Sequence, residues 1–249
     1  MKKTAMIFCI VLFMPGICLT GFAGNEKLVF DTQDFAPFSY MENKKISGPG
    51  ADIIDLVCRN INVDYELRLL PWARAQDEIK CGQANALFLI GKNKEREKWL
   101  DFGPPIINTE YGFFTHRENK TIHKTSNDFA NYTIGVYGPS NTATALLEAI
   151  KGVPDVKVEM TPDDIAAFKK LDAGRIGAVY SNIDVGNLMI KNLKLENIRH
   201  SLTHKKIRYY IGFSKEKTDR ALTGKFYDKL IELQQNGEIA KILKKYDMK

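Results

Sequence analysis

Residues 69–105 read LLPWARAQDEIKCGQANALFLIGKNKEREKWLDFGPP, and this stretch decides the fold. Pro71 ends an extended run, Trp72 to Cys81 can form a helix, and Gly82 suits the left-handed position that closes one. Ala86 to Ile90 is apolar throughout, the pattern of a buried strand. Strand, helix and strand with short connections predict a parallel sheet, whose ligands sit at the carboxyl ends of the strands. Trp72, Gly91 and Arg96 all follow strand ends, and Arg74 stands close behind Trp72. A planar guanidinium holds a carboxylate through two parallel hydrogen bonds, and a flat ring beside it keeps water away. The stretch therefore predicts capture of a small anionic or zwitterionic molecule. No nucleophile–base pair or metal-ligand cluster accompanies these residues. Binding is expected rather than catalysis, with no metal and no cofactor.

Before this stretch, Lys27 to Asp31 (KLVFD) reads as a first strand, and Ala51 to Ile61 has the apolar spacing of a core-facing helix. Between them, Ala36 to Tyr40 is too irregular for a helix, and its Phe38 and Tyr40 either line a pocket or pack under the loop. Tyr65 to Leu70 is a second strand, so the first unit runs strand, helix, strand, helix, strand. After it, Ile106 to His116 is a long strand leaving the unit, and a second βα series starts at Thr133 to Tyr137. The turn Gly138 to Thr142 leads into a helix from Ala143 to Ile150. Its start, with Ser140, Asn141 and Thr142, offers free amides and hydroxyls to an anion, although taken alone an ordinary N-cap is the stronger reading. Thr161-Pro162-Asp163-Asp164 reads as the start of a helix running to Asp172, with an acid near the capping-box position. Ile176 to Tyr180 is a strand, a helix follows through Lys191, Ile207 to Ser214 is a return crossing, and two helices finish the chain.

The N-terminus has Lys2 and Lys3, an apolar run from Ala5 to Leu19 broken by Pro15-Gly16, and the small-residue pattern Gly21-Phe22-Ala23. That is the order of a secretory signal peptide, with cleavage expected after Ala23. Lipid anchoring at Cys18 is disfavoured because Ile17 precedes it. The chain of 249 residues carries a formal charge of +6, and losing Lys2 and Lys3 leaves +4. Its lysines are interspersed with acids, as in KNKEREK at Lys92 to Lys98, which reads as a solvated face and not a nucleic-acid stripe. Cys58 and Cys81 would remain in an oxidising compartment. Consecutive right-handed crossovers place their helices on opposite faces of the sheet, so two buried thiols are expected in place of a disulfide.

The order of elements and seven local motifs resemble the family-3 extracellular solute-binding proteins, polar-amino-acid receptors of bacterial ABC transporters. The motifs are PFSY at Pro37 to Tyr40, GPGADIIDLV at Gly48 to Val57, LPWAR at Leu70 to Arg74, KCGQANALF at Lys80 to Phe88, KEREKWLDFGPP at Lys94 to Pro105, TIGVYGPS at Thr133 to Ser140 and LDAGRIGAVYSN at Leu171 to Asn182. The resemblance implies an α/β, two-lobe, type II periplasmic-binding-protein-like fold that closes like a Venus flytrap. Each lobe would be a mainly parallel sheet flanked by helices, joined by two crossing strands. The expected division is 1–23 for the leader, 24–114 and 209–249 for the first lobe, and 115–208 for the second. It further implies a periplasmic monomer with two partners, a carboxylate-bearing small molecule and an inner-membrane ABC permease, and none in nucleic acid.

Carried over position by position, Arg96 matches the arginine that holds a ligand carboxylate, and Gly91 and Asn93 match loop positions donating to the same group. Phe38 and Trp72 match pocket aromatics, and Ser140, Asn141 and Thr142 match the second-lobe helix start that completes the clamp. Arg74 belongs to the PWAR variant and is either a further contact or a surface salt bridge. The departure is Asn182, where amino-acid-binding members typically have the aspartate that pairs with the ligand ammonium; Asp184 could substitute or could cap a helix. The ligand is then an amino acid, a derivative or another small carboxylate. Two rival readings share the resemblance: a cleft enzyme of the cyclohexadienyl dehydratase type, drawing on Glu95, Glu110 or Asp184, and a periplasmic sensor subunit.

Overall fold

A computed structural model describes residues 27–248; the expected leader, with Cys9 and Cys18, lies outside them. The first unit contains β1 (Leu28–Thr32), the hairpin β2 (Tyr40–Glu42) and β3 (Lys45–Ser47), α1 (Pro49–Ile61), β4 (Tyr65–Leu69), α2 (Trp72–Lys80) and β5 (Ala86–Gly91). β1 lies between β4 and β5, and all three are parallel, as the alternating strand–helix rhythm predicts. Gly82 takes φ +68 just beyond α2, the left-handed geometry expected of it. The sheet is covered on both sides: Ile53, Ile54 and Val57 of α1 join Phe30, Phe88 and Phe213 in one cluster, while Ala75 and Ile79 of α2 join Leu87, Ile90 and Leu100 in another.

From here a single strand, β6 (Leu100–His116), runs 17 residues. It is longer than the sequence reading, because Asp101 to Pro105 is part of the strand and not an exit loop. Two prolines are tolerated there because β9 (Ala178–Asn182) pairs only with Tyr111 to Thr115 of β6. Over the prolines that edge of β6 has no partner strand, and on the other edge the ladder to β10 shifts register on both sides of Tyr210, the partner of Pro105, so the missing N–H groups fall where pairing is absent or irregular. The second unit adds β7 (Thr133–Tyr137), α3 (Asn141–Ala149), β8 (Lys157–Thr161), α4 (Asp164–Asp172) and α5 (Ile183–Asn192), the last following β9. β10 (Ile198–Ser214), also of 17 residues, returns antiparallel to β6 and β5. α6 (Arg220–Gln235) and α7 (Glu238–Lys245) then close over α1, with Phe226, Leu230, Leu233, Ile239 and Leu243 buried among its apolar residues. The sheet order is β4-β1-β5-β10-β6-β9-β7-β8, so β6 and β10 are the shared centre of two α/β halves.

α4 starts later than the sequence reading. Asp163 is its N-cap, accepting the amide of Ala166 at 2.6 Å, so Pro162 stays outside and Asp164 becomes the first helical residue.

Cys58 and Cys81 are both free thiols, on helices of opposite faces. Only Cys58 is buried; Cys81 is exposed, against expectation, because it caps the end of α2 where the helix turns to solvent. Burial pushes the Cys58 thiol up to about 12, with the Asp55 charge adding to the effect. The thiolate is the reactive form, so an alkylating reagent at pH 8 is expected to label Cys81 in the native protein and Cys58 only after unfolding. Peptide mapping after iodoacetamide treatment checks this, and equal native labelling of the two would contradict the burial of Cys58.

Candidate ligand-binding site

The carboxyl ends of the strands in both halves face one cleft, floored by Tyr111 of β6 and Tyr209 of β10. Its non-atom space, open mouth included, is about 520 Å³. The first half contributes Gln33 and Phe35 after β1, Trp72 at the start of α2, Leu89 and Gly91 at the end of β5, and Arg96. The second contributes Tyr137, the α3 start at Ser140 to Thr142, Asp164 at the α4 start, and Ser181 and Asn182 at the end of β9.

Arg96 is held on three sides. Asn93 caps the short turn that carries it, its side-chain oxygen accepting the Arg96 amide at 2.9 Å. One guanidinium nitrogen donates to the Gly91 carbonyl at 2.7 Å, and the group lies 5.6 Å from the centre of the Trp72 ring. Among the described residues no carboxylate pairs with it. Burial lowers its pKa, an effect that nearby Tyr111 partly offsets, but arginine keeps its charge under all ordinary conditions. A cation partly stripped of water and lacking a counter-ion is expensive to keep, and an incoming anion relieves that cost.

The start of α3 faces the same space. The Ser140 hydroxyl is consumed locally, accepting from the Ala143 amide at 3.1 Å and donating to the Tyr137 carbonyl at 2.7 Å. Asn141 and Thr142, both half-buried, face the cleft. The halves come close here: a Cβ placed on Gly91 would stand 2.8 Å from the Asn141 amide nitrogen, so any larger residue would have to push that carboxamide aside.

Several residues expected at the site are placed elsewhere. Phe38 is fully buried in the core, 5.3 Å from the Tyr209 ring, and Phe35 is the loop aromatic that reaches the cleft. Arg74 is largely exposed and pairs with Glu78 at 2.8 Å, one turn along α2. Glu78 also binds Arg68, whose guanidinium grips the buried Asp31 through two bonds of 2.7 and 2.8 Å, so Arg74 ends a structural chain of charges. Asn93 is exposed outside the cleft and acts through the turn. Asn182 is in the wall but 2 % exposed, and its carboxamide is fully engaged. Its oxygen accepts from the amides of Asp184 and Val185 at 2.9 and 3.2 Å, capping α5. Its nitrogen donates to the hydroxyls of Thr109 and Tyr209 at 3.0 and 3.3 Å. Asp184 accepts the Thr109 hydroxyl behind the floor and does not reach the cleft.

The sequence reading missed Gln33, Phe35, Leu89, Tyr111, Tyr137, Asp164, Ser181 and Tyr209. Leu89 has φ +60 beside the register shift between β5 and β10, a left-handed conformation rare outside glycine. Tyr209 lies against Tyr111, whose hydroxyl lies against Thr142, so a run of hydroxyls connects the Asn182 cap to the α3 start. Asp164 was hidden because Asp163-Asp164 looks like a capping pair. One acid suffices for a cap, and the surplus acid was the available signal.

Burial raises the Asp164 carboxyl above its usual range; a Ser181 hydroxyl bond at 2.7 Å partly opposes this and the Asp163 charge adds to it. A carboxyl whose folded pKa is raised binds its proton more tightly folded than unfolded, so its ionisation removes stability as pH rises above the ordinary 3.8. Asp164→Asn is therefore expected to raise the melting temperature of the ligand-free protein at pH 7, by about 2–4 °C for each kcal/mol relieved. The gain disappears as pH falls below 3.8. A scanning-calorimetry series across pH checks this; a variant melting below wild type at neutral pH would contradict it.

Among the described residues, no group of three or more His, Cys, Asp or Glu is placed to hold a metal, and no helix is long and apolar enough to cross a membrane. Residues 28–249 match the family model for bacterial extracellular solute-binding proteins, family 3. The chain is 23 % identical to a Bacillus subtilis (strain 168) protein named "Probable amino-acid-binding protein YxeM", over 99 % of this chain and 95 % of that one. It is also 23 % identical to the arginine-binding extracellular protein ArtP of the same organism, over 90 % of this chain and 87 % of that one. Among solved structures, a histidine kinase sensor domain with similarity to periplasmic binding proteins superposes with a TM-score of 0.78 at 19 % identity, covering 89 % of this chain and 96 % of that one. An ancestral arginine-binding protein bound to arginine gives 0.77 at 22 %, covering 88 % and 97 %. The paired α/β halves around two shared strands and the match along the whole described chain have one explanation: the chain belongs to the bacterial extracellular solute-binding proteins, family 3.

Proposed function

We propose that this protein captures a small carboxylate-bearing solute, an amino acid or a derivative of one, in the cleft between its lobes. From the periplasm it would deliver that solute to an ABC transporter permease, without chemical turnover. The observation that carries this reading is Arg96: cationic, half-buried, stacked beside Trp72 and without an acid partner among the described residues. A bidentate carboxylate is the natural complement of such a group, and the Asn141 and Thr142 start of α3 offers a second set of donors from across the cleft. Relatives named for amino-acid and arginine binding support the ligand class. The leader pattern at Lys2 to Ala23 supports export. Relative motion of the two lobes about β6 and β10 is the means of closure that this arrangement favours.

The test is a thermal-shift screen of amino acids, dicarboxylates and small peptides against wild type and Arg96→Ala. A ligand at 100 times its Kd stabilises wild type by about 2.7 kcal/mol. Losing two hydrogen bonds to a charged group raises Kd by about 100-fold or more, which removes nearly all of that shift. Arg96→Ala is expected to retain the ligand-free fold, since the side chain makes no ion pair among the described residues. Equal ligand stabilisation of the two proteins would remove the central claim.

A further inference from the structure

Among the described residues Asp164 is the one acid lining the cleft, and capping α4 does not require it there. The helix cap is Asp163, which leaves the Asp164 carboxylate free to turn inward, where it accepts the Ser181 hydroxyl at 2.7 Å. Among the described residues no lysine, arginine or histidine forms an ion pair with it. The uncharged cleft groups around it, Ser181, Tyr137 and Tyr209, supply hydroxyls and no counter-charge. The cleft therefore holds two unmatched charges of opposite sign, Arg96 from one half and Asp164 from the other, too far apart to pair with each other. Asn182, at the position where relatives would seat a ligand ammonium, has no acceptor left: both lone pairs of its oxygen are taken by the amides of Asp184 and Val185.

We propose that Asp164, and not Asn182, receives the cationic group of the ligand, so that this cleft selects molecules carrying a separated carboxylate and cation over plain carboxylates. This rests on the assignment of the ligand carboxylate to Arg96. A ligand spanning both charges satisfies each where it stands and ties one half to the other, since Arg96 and Asp164 belong to different halves. A dicarboxylate meets Arg96 but confronts a like charge at Asp164, which supplies the discrimination. Ser181 fixes the carboxylate with one hydrogen bond and leaves its other oxygen open to the ligand.

The experiment is calorimetric titration of wild type, Asp164→Asn and Arg96→Ala with two sets of probes. L-arginine, L-lysine, L-histidine, L-glutamine and L-leucine carry both charges; succinate, glutarate and 4-methylpentanoate carry no cation. Wild type is expected to bind at least one of the first set and to bind it at least 30-fold tighter than any of the second. Asp164→Asn is expected to weaken that probe by about 30-fold or more, the usual cost of removing one partner of a buried charge pair. Its ligand-free melting temperature should not fall, which separates lost recognition from lost folding. Wild-type preference for the cation-free acids, or an Asp164→Asn affinity within about threefold of wild type while Arg96→Ala is dead, overturns the Asp164 assignment alone. Unchanged binding in Arg96→Ala, or no binding of any probe to wild type, overturns the carboxylate reading and this inference with it.

Discussion

One antiparallel pairing supports everything else in this molecule. β6 and β10 run side by side from Leu100 opposite Ser214 to His116 opposite Ile198. β5 attaches to one end of the pair and β9 to the other. Because side chains alternate along a strand, a slip of one residue in this register would turn either Tyr111 or Tyr209, whichever strand shifted, out of the cleft floor. The pairing contains register shifts at several points, including one between Tyr209 and Tyr210, and such irregularities re-aim side chains beside a site. The aromatic floor and the relative position of the two halves are thus set by the same ladder.

The cleft and the nearby scaffold use similar charged groups in opposite ways. Asp31 is completely buried, yet Arg68 holds both of its oxygens, and Glu78 and Arg74 extend the network outward. That arrangement is closed and fixes the ends of β1, β4 and α2. Arg96 and Asp164 are left open. Fold stability alone would favour pairing or neutralising them. Leaving both unmatched costs the ligand-free protein stability, a common trade at binding sites.

Much of the architecture was legible because it depends on periodicity. Apolar spacing in Ala51 to Ile61 and the uniform apolar run at Ala86 to Ile90 respond to burial that any α/β sheet imposes, and Gly82 marks a helix end by backbone geometry alone. What escaped depends on direction or on a missing neighbour. Phe38 and Phe35 are the same residue type on one loop and both pack on Tyr209, yet the first is buried in the core and the second lines the cleft, a difference of direction that composition does not carry. Asp101 to Pro105 looks like a strand terminator until one sees that the edge of β6 is unpaired there. Arg74 and Arg96 both follow strand ends, but Glu78 lies one turn beyond the first, whereas among the described residues no carboxylate pairs with the second, its neighbours Glu95 and Glu97 turning to Lys98 and Lys92. Asp164 was concealed by its neighbour, since either acid of the pair could have been the cap.

The meeting of Gly91 with Asn141 bears on time as much as on fit. There the Asn141 side chain of one half reaches the bare backbone of the other, and a side chain at residue 91 would push against its carboxamide. The contact narrows the gap between the halves beside the cleft, whose mouth is otherwise open. For a ligand enclosed here, the rate of release would depend on how readily this contact opens as well as on how firmly the cleft grips. A side chain added at Gly91 would bear on that approach as well as on the cleft wall the same residue lines.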